Sequence, residues 1–312
     1  MKKALLRRIT QILGVILPNS YFIGWTGNPQ IYQGKLKAVV APLLNCYACP
    51  SAAVSCPVGS AQHFFALKMI PYFVIGVVGA VGLFLGRATC GWLCPFGFLQ
   101  DLEFKLGRII KLPHIKLPGW IGYGKFLFLI ALVILAPILT VRPMFDDETG
   151  EVFTYIDTET GKVEKLFEPG LTTFCKICPQ GALQGGIPQV LLHPELRAIV
   201  GKPFTAKMVI LGVCLIAFLM MKRPFCRAVC PLGAFLGLFN YVSLLRFEVD
   251  IGKCTNCRLC EYNCPVEHNI YKSPNSHNCI RCGECFSACK FGAIKVSNIF
   301  IGSKKTAENK SV

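Results

Sequence analysis

Residues 87 to 97 read RATCGWLCPFG, and residues 223 to 233 read RPFCRAVCPLG. Both stretches contain the pattern Arg-x2-Cys-x3-Cys-Pro-x-Gly, and each one follows a long apolar run. The same motif after the same kind of segment indicates that part of the chain is duplicated. What the duplicated unit does depends on the surroundings of the apolar runs and on the remaining cysteines.

The composition indicates a membrane protein. Hydrophobic residues make up 53% of the 312 positions and charged residues only 16%, which is too apolar for a soluble protein of this length. The 33 Lys and Arg residues exceed the 17 Asp and Glu residues, for a net charge of +16. We interpret this excess as the basic bias of cytoplasmic membrane loops, because no aromatic-basic nucleic-acid motif accompanies it. The expected partner is therefore the lipid bilayer and not a nucleic acid.

Four apolar segments are candidates for membrane-spanning helices, because a helix needs about 20 mostly apolar residues to cross a bilayer. They are residues 9–25, 64–85, 120–141 and 204–221. Basic residues dominate the N-terminus and the stretch between the second and third segments, which predicts that both are cytoplasmic. Residues 26–63 and 142–203 then lie outside, and the C-terminal third lies inside. The predicted location is the cytoplasmic (inner) membrane.

Each half of the chain repeats one order: span, outer cysteine loop, span and inner Cys-x3-Cys-Pro motif. On the outside, CYACP at 46–50 corresponds to CKICP at 175–179. Both copies keep the same orientation, so we expect a pseudo-two-fold axis along the membrane normal that brings like motifs face to face. Within the second outer loop, the alternating pattern of EVFTYIDTETGKVEKLF at 151–167 predicts a small β-hairpin.

The C-terminal cysteines have the spacing of an iron–sulfur domain. CTNCRLCEYNCP at 254–265 and CIRCGECFSACK at 279–290 both contain Cys-x2-Cys-x2-Cys-x3-Cys. In bacterial two-cluster ferredoxins, three closely spaced thiolates bind one [4Fe-4S] cluster and the fourth cysteine binds the other. The predicted ligands are Cys254, Cys257, Cys260 and Cys289 for the first cluster, and Cys279, Cys282, Cys285 and Cys264 for the second. Zinc would need two separated pairs, and disulfides are disfavoured in the cytoplasm.

The expected fold class is mainly α, with multi-pass membrane helices in two tandem repeats, plus a small α+β two-cluster bacterial ferredoxin-like domain. The membrane domain covers residues 1–246 and holds the four spans and both Cys-x3-Cys-Pro motifs. The ferredoxin domain covers residues 247–297. Residues 298–312 are expected to form a disordered tail.

The inner motif cysteines would converge under the two-fold axis, with Arg87 and Arg223 nearby to offset the charge of four thiolates. They are Cys90, Cys94, Cys226 and Cys230. The second cysteine of each motif precedes proline, which suits a helix entrance, and a helix N-terminus favours a thiolate or an anionic cluster. Three hypotheses stay open: a further iron–sulfur cluster, a redox-active thiol pair, and structural cysteines at a tight turn.

Five more cysteines lie in the outer loops: Cys46, Cys49, Cys56, Cys175 and Cys178. An oxidising compartment favours disulfides, although five cysteines cannot all pair. The matched Cys-x2-Cys-Pro copies offer an alternative to disulfides, in which Cys46, Cys49, Cys175 and Cys178 hold another cluster. Because CPVG at 56–59 also resembles CPQG at 178–181, the choice between Cys49 and Cys56 stays open. The chain would then hold one or two clusters beyond the ferredoxin pair.

The two Cys-x3-Cys-Pro motifs, followed by CTNCRLCEYNCP and CIRCGECFSACK, resemble the polyferredoxin membrane proteins of the NapH/MauN type, and the membrane part of the nitrous-oxide reductase regulator is similar. The resemblance covers residues 45 to 295. It implies an integral membrane electron-transfer protein with cytoplasmic clusters that serves a redox system across the membrane. The outer cysteine loops are additional to the simplest family pattern.

The predicted function is membrane iron–sulfur electron transfer, in which single electrons pass between a cytoplasmic donor, the quinone pool and an extracytoplasmic redox partner. Such a protein would act as an electron-transfer subunit of a quinol-linked oxidoreductase complex. No catalytic residue is predicted, because the clusters perform the redox chemistry and the protein supplies ligands, burial and orientation. The alternative is a redox-sensing or assembly factor for a partner redox enzyme. A metal or ion transporter is disfavoured, because no predicted span contains Asp or Glu.

Overall fold

The computed structural model describes residues 2–25, 31–140, 142–143, 154–156, 163–165, 167–168 and 173–298. This part of the chain is mostly helical. Its α-helices are α1 (Lys2–Ile16), α2 (Pro57–Ala66), α3 (Tyr72–Leu85), α4 (Ala88–Trp92), α5 (Pro95–Ile109), α6 (Gly124–Phe128), α7 (Ala136–Leu139), α8 (Phe174–Ile177), α9 (Pro179–Gly181), α10 (Ile187–Leu192), α11 (Lys202–Met220), α12 (Pro224–Ala228), α13 (Pro231–Phe239), α14 (Leu259–Tyr262) and α15 (Glu284–Ala288). Apart from residue 298, the predicted tail at 298–312 lies outside the described residues.

Short 3-10 and π-helical segments connect these helices. The 3-10 segments are Leu17–Asn19, Phe22–Trp25, Lys35–Ala38, Gly119–Tyr123 and Pro194–Ile199, and the π-helical segments are Leu129–Leu135 and Ala182–Gly186. The β-strands are β1 (Arg142–Pro143), β2 (Thr154–Ile156), β3 (Val163–Lys165), β4 (Phe167–Glu168), β5 (Leu245–Val249) and β6 (Ile294–Asn298). They form the antiparallel pairs β1–β4, β2–β3 and β5–β6. The β2–β3 pair confirms the predicted hairpin.

Two helical segments in the described chain are long and apolar enough to cross a membrane. Gly119–Leu139, which runs from the 3-10 turn through α6 and the π-helix to α7, has a mean hydropathy of 2.2, and Lys202–Met220 has a mean hydropathy of 2.1. They coincide with the predicted spans 120–141 and 204–221. Length and composition therefore support two of the four predicted crossings.

The other two predicted spans, 9–25 and 64–85, are not continuous helices. Helix α1 ends at Ile16 because Pro18 starts a separate 3-10 turn. Helices α2 and α3 are separated where Lys68 has a positive φ of 57° and Pro71 cannot continue the preceding helix. Helix α3 has 14 residues, fewer than the roughly 20 that a usual span needs. A multi-pass membrane domain in two tandem repeats therefore stays a prediction.

The two motif copies have the same local backbone structure. Helix α4 ends just before Cys94, the N-cap of α5, and helix α12 ends just before Cys230, the N-cap of α13. The backbone N–H groups of these two cysteines donate to the carbonyls of Thr89 and Phe225, at 3.0 and 2.9 Å. The helix entrances predicted from the Cys-Pro pairs are therefore present. The duplication is visible in the backbone as well as in the sequence.

Helix α1 packs against the first motif copy. The side chains of Arg7 and Gln11 both donate to the carbonyl oxygen of Gly91, at 3.1 Å each. Both side chains are buried, with exposed fractions of 3% and 0%. Helix α1 therefore covers helices α4 and α5, and its polar face is used for this contact.

The C-terminal domain is a two-stranded sheet with two short helices. Strand β5 pairs with β6, and Val249 lies opposite Ile294; the strand begins at Leu245, slightly before the predicted boundary at 247. The domain core contains Phe247, Ile270, Cys279, Cys285 and Ile294. The domain docks onto the motif helices, because the Trp92 indole donates to the carbonyl of Arg281 at 3.0 Å.

Candidate metal centres

The structure gathers most of the eighteen cysteines into four groups. All eighteen lie in the described residues and none of them forms a disulfide, so the disulfide interpretation of the outer loops has no support. We name the groups the first ferredoxin site (Cys254, Cys257, Cys260 and Cys289), the second ferredoxin site (Cys264, Cys279, Cys282 and Cys285), the central site (Cys90, Cys94, Cys226 and Cys230) and the distal site (Cys46, Cys56, Cys175 and Cys178).

The two ferredoxin sites bring together the cysteines that the spacing predicts. All four cysteines of the first site line one small cavity. In the second site, burial raises the pKa of Cys279 to about 11, and the neighbouring Cys282 thiol contributes to this rise. Burial likewise raises the pKa of Cys282 to about 11, with a contribution from the Cys264 thiol. A thiol with such a high pKa stays protonated until a metal cation binds to the sulfur and replaces the proton.

The loops of both ferredoxin sites have left-handed residues at matching positions. In each loop the residues on either side of the middle cysteine have positive φ angles: 54° at Asn256 and 58° at Arg258 in the first site, and 48° at Arg281 and 80° at Gly283 in the second. Backbone conformations of this kind form concave arrays of N–H groups that bind anions, iron–sulfur clusters among them. Both loops therefore fit a negatively charged cluster.

The central site is assembled by both motif copies. The Arg223 guanidinium donates to the carbonyl oxygen of Cys90 at 2.8 Å, and the Arg87 guanidinium donates to the carbonyl oxygen of Cys226. Each motif arginine thus reaches the first cysteine of the opposite copy. Both arginines are buried, with exposed fractions of 0% and 1%. This reciprocal pairing explains why an arginine stands three residues before the cysteine in both copies.

The glycine at the end of each motif makes room for the opposite arginine. A Cβ atom on Gly97 would lie 3.1 Å from Nη1 of Arg223, and a Cβ atom on Gly233 would collide with the Arg87 guanidinium. Any larger residue at either position would displace the arginine. The arginine of each copy therefore contacts both the first cysteine and the glycine of the opposite copy.

The sulfur atoms of the central site are buried and close to one another. Burial, together with the Cys226 and Cys90 thiols, raises the pKa of Cys94 to about 12. Nε2 of Gln100 donates to Sγ of Cys226 at 3.1 Å, and the backbone N–H of Gly233 donates to Sγ of Cys230 at 3.3 Å. Donors aimed at sulfur favour the thiolate form and a bound cluster.

Buried cations surround the central site. Arg223 is paired with Asp101 at 2.7 Å. Arg87 and Lys125 are both 0% exposed, and within the described chain neither has a carboxylate partner; each donates to the carbonyl of His277 at 3.1 Å. A buried guanidinium without a counter-ion, such as that of Arg87, is costly unless an anionic group lies near it. Four thiolates around a cluster would be such a group.

The distal site lines a cavity of about 330 Å³. Two matching segments build this site, and the glutamine of each segment accepts a hydrogen bond from the other segment. The backbone N–H of Cys46 donates to Oε1 of Gln184 at 3.0 Å, and the backbone N–H of Cys175 donates to Oε1 of Gln62 at 3.2 Å. Each glutamine stands six residues after the Cys-Pro cysteine of its own segment. This cysteine is Cys56 for Gln62 and Cys178 for Gln184.

The structure separates one cysteine of the predicted outer set from the others. Cys49, which the sequence pairs with Cys46 by its Cys-x2-Cys spacing, does not line the distal cavity. Its sulfur instead lies 3.2 Å from Oγ of Ser51. Cys56 takes the fourth position, because it and Cys178 both stand at the N-cap before a helix that begins with proline.

A longer motif could have indicated this arrangement. Cys-Pro-x-Gly-x2-Gln occurs at residues 56–62, 94–100 and 178–184. The three glutamines all contact the opposite copy, either at a backbone N–H or at a cysteine sulfur. The pattern identifies Cys56 and not Cys49 as the counterpart of Cys178, and the glutamine beyond the glycine is the residue that distinguishes them.

The donor sets fit clusters better than single ions. In the part of the chain that the structure describes, no three His, Cys, Asp or Glu side chains converge on one metal-ion position. Four thiolates spread around a cavity are the usual ligands of a [4Fe-4S] cluster, which holds its ligands farther apart than a single ion does. Each of the four groups meets this requirement in its ligand chemistry.

Three of the sites lie next to one another. A Cβ atom on Gly91 would lie 2.5 Å from the carbonyl oxygen of Ile280 and 3.3 Å from Cβ of Cys282, so helix α4 of the central site touches the second ferredoxin loop. On the other side, the backbone of Leu44 lies near the sulfur of Cys94, and Leu44 also lines the distal cavity. The central site therefore stands between the ferredoxin domain and the distal site.

Comparisons with known proteins identify 4Fe-4S binding domains in this chain. A family model described as a 4Fe-4S binding domain matches residues 67–113, 172–193 and 204–250, and a second 4Fe-4S binding domain matches residues 274–295. An uncharacterized protein of Methanocaldococcus jannaschii is 29% identical over 230 residues, which is 72% of this chain and 77% of that protein. The ferredoxin-type protein NapH of Haemophilus influenzae is 26% identical over 313 residues, 94% of this chain and 89% of NapH. The methylamine utilization ferredoxin-type protein MauN of Methylorubrum extorquens is 25% identical over 271 residues, 85% of this chain and 75% of MauN. No solved structure matches.

The cysteine groups and the matching domains define an iron–sulfur protein of the ferredoxin type that binds [4Fe-4S] clusters. Within this class of electron-transport proteins, similarity to NapH and MauN extends over most of the chain. The chain belongs to the NapH/MauN-type polyferredoxin family.

Proposed function

We propose that the protein is an integral membrane iron–sulfur electron-transfer protein. It passes single electrons between a cytoplasmic donor, the quinone pool and a redox partner on the other side of the membrane. One observation carries this proposal: the second ferredoxin site is in direct contact with the central site through Gly91 and Cys282. A ferredoxin domain that only stored electrons would not need its ligand loop packed against a second buried cysteine group.

The ligand assignment follows the cysteine groups. The first ferredoxin site, the second ferredoxin site and the central site would each hold one [4Fe-4S] cluster through four thiolates. When bound, these clusters supply reversible one-electron redox chemistry. The protein residues supply the rest, which is burial, charge compensation and a fixed spacing between neighbouring sites.

The motif residues hold the central ligands in place. The guanidinium groups of Arg87 and Arg223 bind the carbonyls of the opposite cysteines and place two positive charges beside the thiolates. Gln100 donates to one of the four sulfurs. Donors and cations near a cluster stabilise its more negative, reduced form. These residues therefore favour acceptance of an electron at the central site.

The helices Gly119–Leu139 and Lys202–Met220 would anchor this assembly in the bilayer. Basic residues after Met220 and before Gly119 support a cytoplasmic position for the ferredoxin domain. Quinone would be reached from the membrane region. The protein would serve as the electron-transfer subunit of a quinol-linked complex.

The proposal is tested by Cys230→Ser in the full-length protein, purified without oxygen and reconstituted in lipid vesicles. Loss of a central ligand should remove about four irons per chain and should slow electron exchange between a quinol and the ferredoxin sites by at least about tenfold. Iron and sulfide analysis and stopped-flow spectroscopy measure the two effects. Cys214→Ser, at a half-buried cysteine within α11, is the matched control and should change neither quantity.

Two results would count against the proposal. An unchanged iron content in Cys230→Ser would show that the central site holds no cluster. A protein that is reduced once by quinol, without sustained turnover to an acceptor, would indicate a redox sensor in place of an electron carrier.

A further inference from the structure

We propose that the distal site binds a further [4Fe-4S] cluster through Cys46, Cys56, Cys175 and Cys178, and that Cys49 is not a ligand. The site is argued from its own geometry. Only its use as the last electron carrier before an external partner rests on the proposed function.

The distal cavity contains buried polar groups that lack partners. Asn45 and Gln180 line it and are 0% and 3% exposed. Neither Nδ2 nor Oδ1 of Asn45, nor Oε1 of Gln180, has a hydrogen-bond partner within the described residues. A buried amide donor without a partner destabilises the fold. The Asn45 amide would be satisfied by donating to a sulfur atom of a bound cluster.

The thiols of the distal site are already surrounded by backbone donors. The backbone N–H groups of Val58 and Gly59 lie near the sulfur of Cys56, and those of Gln180 and Gly181 lie near the sulfur of Cys178. N–H groups directed at sulfur are the usual second layer around cluster ligands. The two sets are equivalent in the two segments, as a site on a local two-fold axis requires.

A basic residue faces the same cavity. Lys207 lines the distal site, and its Nζ would lie 3.4 Å from a Cβ atom placed on Gly181. Within the described chain it has no carboxylate partner. A cation beside four thiolates offsets the negative charge of a cluster and has no such purpose beside neutral thiols or a disulfide.

Two other uses of four cysteines fit the geometry less well. No disulfide links any of the eighteen cysteines. A zinc ion needs four ligands at about 2.3 Å from one point, whereas no convergent ligand group of this kind is found in the described chain. A cavity of about 330 Å³ between the cysteines has the room that a cluster with four irons and four sulfides needs.

The distal site is also connected to the central site. Phe174 precedes Cys175, Phe225 precedes Cys226, and the centroids of the two rings are 6.3 Å apart. Both rings are buried, with exposed fractions of 1% and 3%. A densely packed contact of this kind excludes water between the two cysteine groups. One electron leaving the central site would reduce the distal site, and the same electron would then pass to a one-electron redox partner.

The experiment compares Cys56→Ser with Cys49→Ser in the full-length protein, purified without oxygen. Cys56→Ser should lose about four irons and four sulfides per chain, whereas Cys49→Ser should keep the wild-type iron content. Mössbauer and EPR spectra of the ferredoxin sites serve as the folding check in both variants. This pair is decisive because the Cys-x2-Cys spacing favours Cys49 and the structure favours Cys56.

The wild-type protein gives a second measurement that needs no variant. About sixteen irons per chain are expected if all four sites are filled, and about twelve together with an unchanged iron content in Cys56→Ser would overturn the distal site. Zinc in place of iron, equal iron loss in both variants, or a Cys46-linked disulfide found by mass spectrometry would also overturn it. A full iron count with no electron flow to quinone would leave the distal site standing and would count against the proposed function.

Discussion

At the scale of single residues, the two motif arginines are equivalent in sequence but not in charge balance. Arg223 has a carboxylate partner in Asp101, which also binds Arg7 at 2.7 Å. The residue of the second copy that corresponds to Asp101 is Gly237, seven positions after the Cys-Pro cysteine, and Arg87 has no carboxylate within the described chain. The asymmetry leaves one buried positive charge that only a bound anionic group offsets.

Asp101→Asn should destabilise the protein strongly. Burial alone would raise the pKa of Asp101, but the charge and hydrogen bonds of Arg223, with help from Arg7, lower this pKa to about 2. Removing the carboxylate leaves the buried Arg223 without a counter-ion, which costs about 3 kcal/mol or more, whereas Arg7 keeps its ion pair with Glu284. We expect a lower thermal unfolding midpoint in detergent, measured by circular dichroism. Glu103→Gln, on the same helix and without an ion-pair partner in the described chain, is the control.

The pH dependence of this effect has a definite direction. The folded-state pKa of Asp101 is depressed, so its contribution is fully present above the ordinary carboxyl pKa of about 4. The contribution is lost as the pH falls through about 2. Between about pH 5 and pH 8, Asp101 stays ionised in the folded and in the unfolded protein. The difference in stability between wild type and Asp101→Asn should therefore stay constant in this range. A difference that shrinks in this range would mean that Asp101 is not paired as the structure shows.

At the scale of secondary-structure elements, Cys-Pro pairs predict helix starts well, because proline fixes φ and disfavours helix in the residue before it. The Cys56, Cys94, Cys178 and Cys230 positions are all N-caps. The break at residues 67–71 was not predicted, because hydropathy is averaged over a window and does not register a single left-handed residue such as Lys68. The backbone conformation of residues 67–71 therefore interrupts the helix, although the apolar pattern of 64–85 is continuous.

Helix α4 should control the contact between the ferredoxin domain and the central site. In Gly91→Ala the new Cβ would lie 2.5 Å from the Ile280 carbonyl, so the domain must move, at a cost of about 1–3 kcal/mol. We expect full iron content but weaker magnetic coupling between the two sites by EPR, and slower electron exchange. Gly76→Ala, in helix α3 with nothing within 4 Å of its new Cβ, should change neither signal. Unchanged coupling in Gly91→Ala would argue against a direct connection.

At the scale of the whole molecule, the sequence predicts the ferredoxin cysteine groups because their spacing is short and local. The Cys-x2-Cys spacing favours Cys49, whereas the longer Cys-Pro-x-Gly-x2-Gln motif favours Cys56. Which of the two cysteines lines the distal cavity depends on how the segment meets the other half of the chain. The crossed contacts of Arg87, Arg223 and Gln184 are long-range for the same reason. In the sequence, these contacts are indicated only by the residues that repeat at fixed offsets, which are the arginine before the cysteine and the glutamine after it.

We predict a membrane orientation from the charges that flank the two long apolar helices. Lys111 and Lys116 precede Gly119–Leu139, and Lys222 and Arg223 follow Lys202–Met220, whereas the intervening residues 140–201 have an acidic excess from 146 to 168. Since basic flanks stay on the cytoplasmic side, the β2–β3 hairpin should lie outside and the ferredoxin domain inside. A fluorescent protein fused after Val312 should therefore fluoresce, and alkaline phosphatase inserted between β2 and β3 should be active. If the two reporters are exchanged, the fluorescent protein should not fluoresce and the phosphatase should be inactive. An inactive phosphatase in the hairpin, with a fluorescent C-terminus, would show that these two helices do not cross the membrane as a pair.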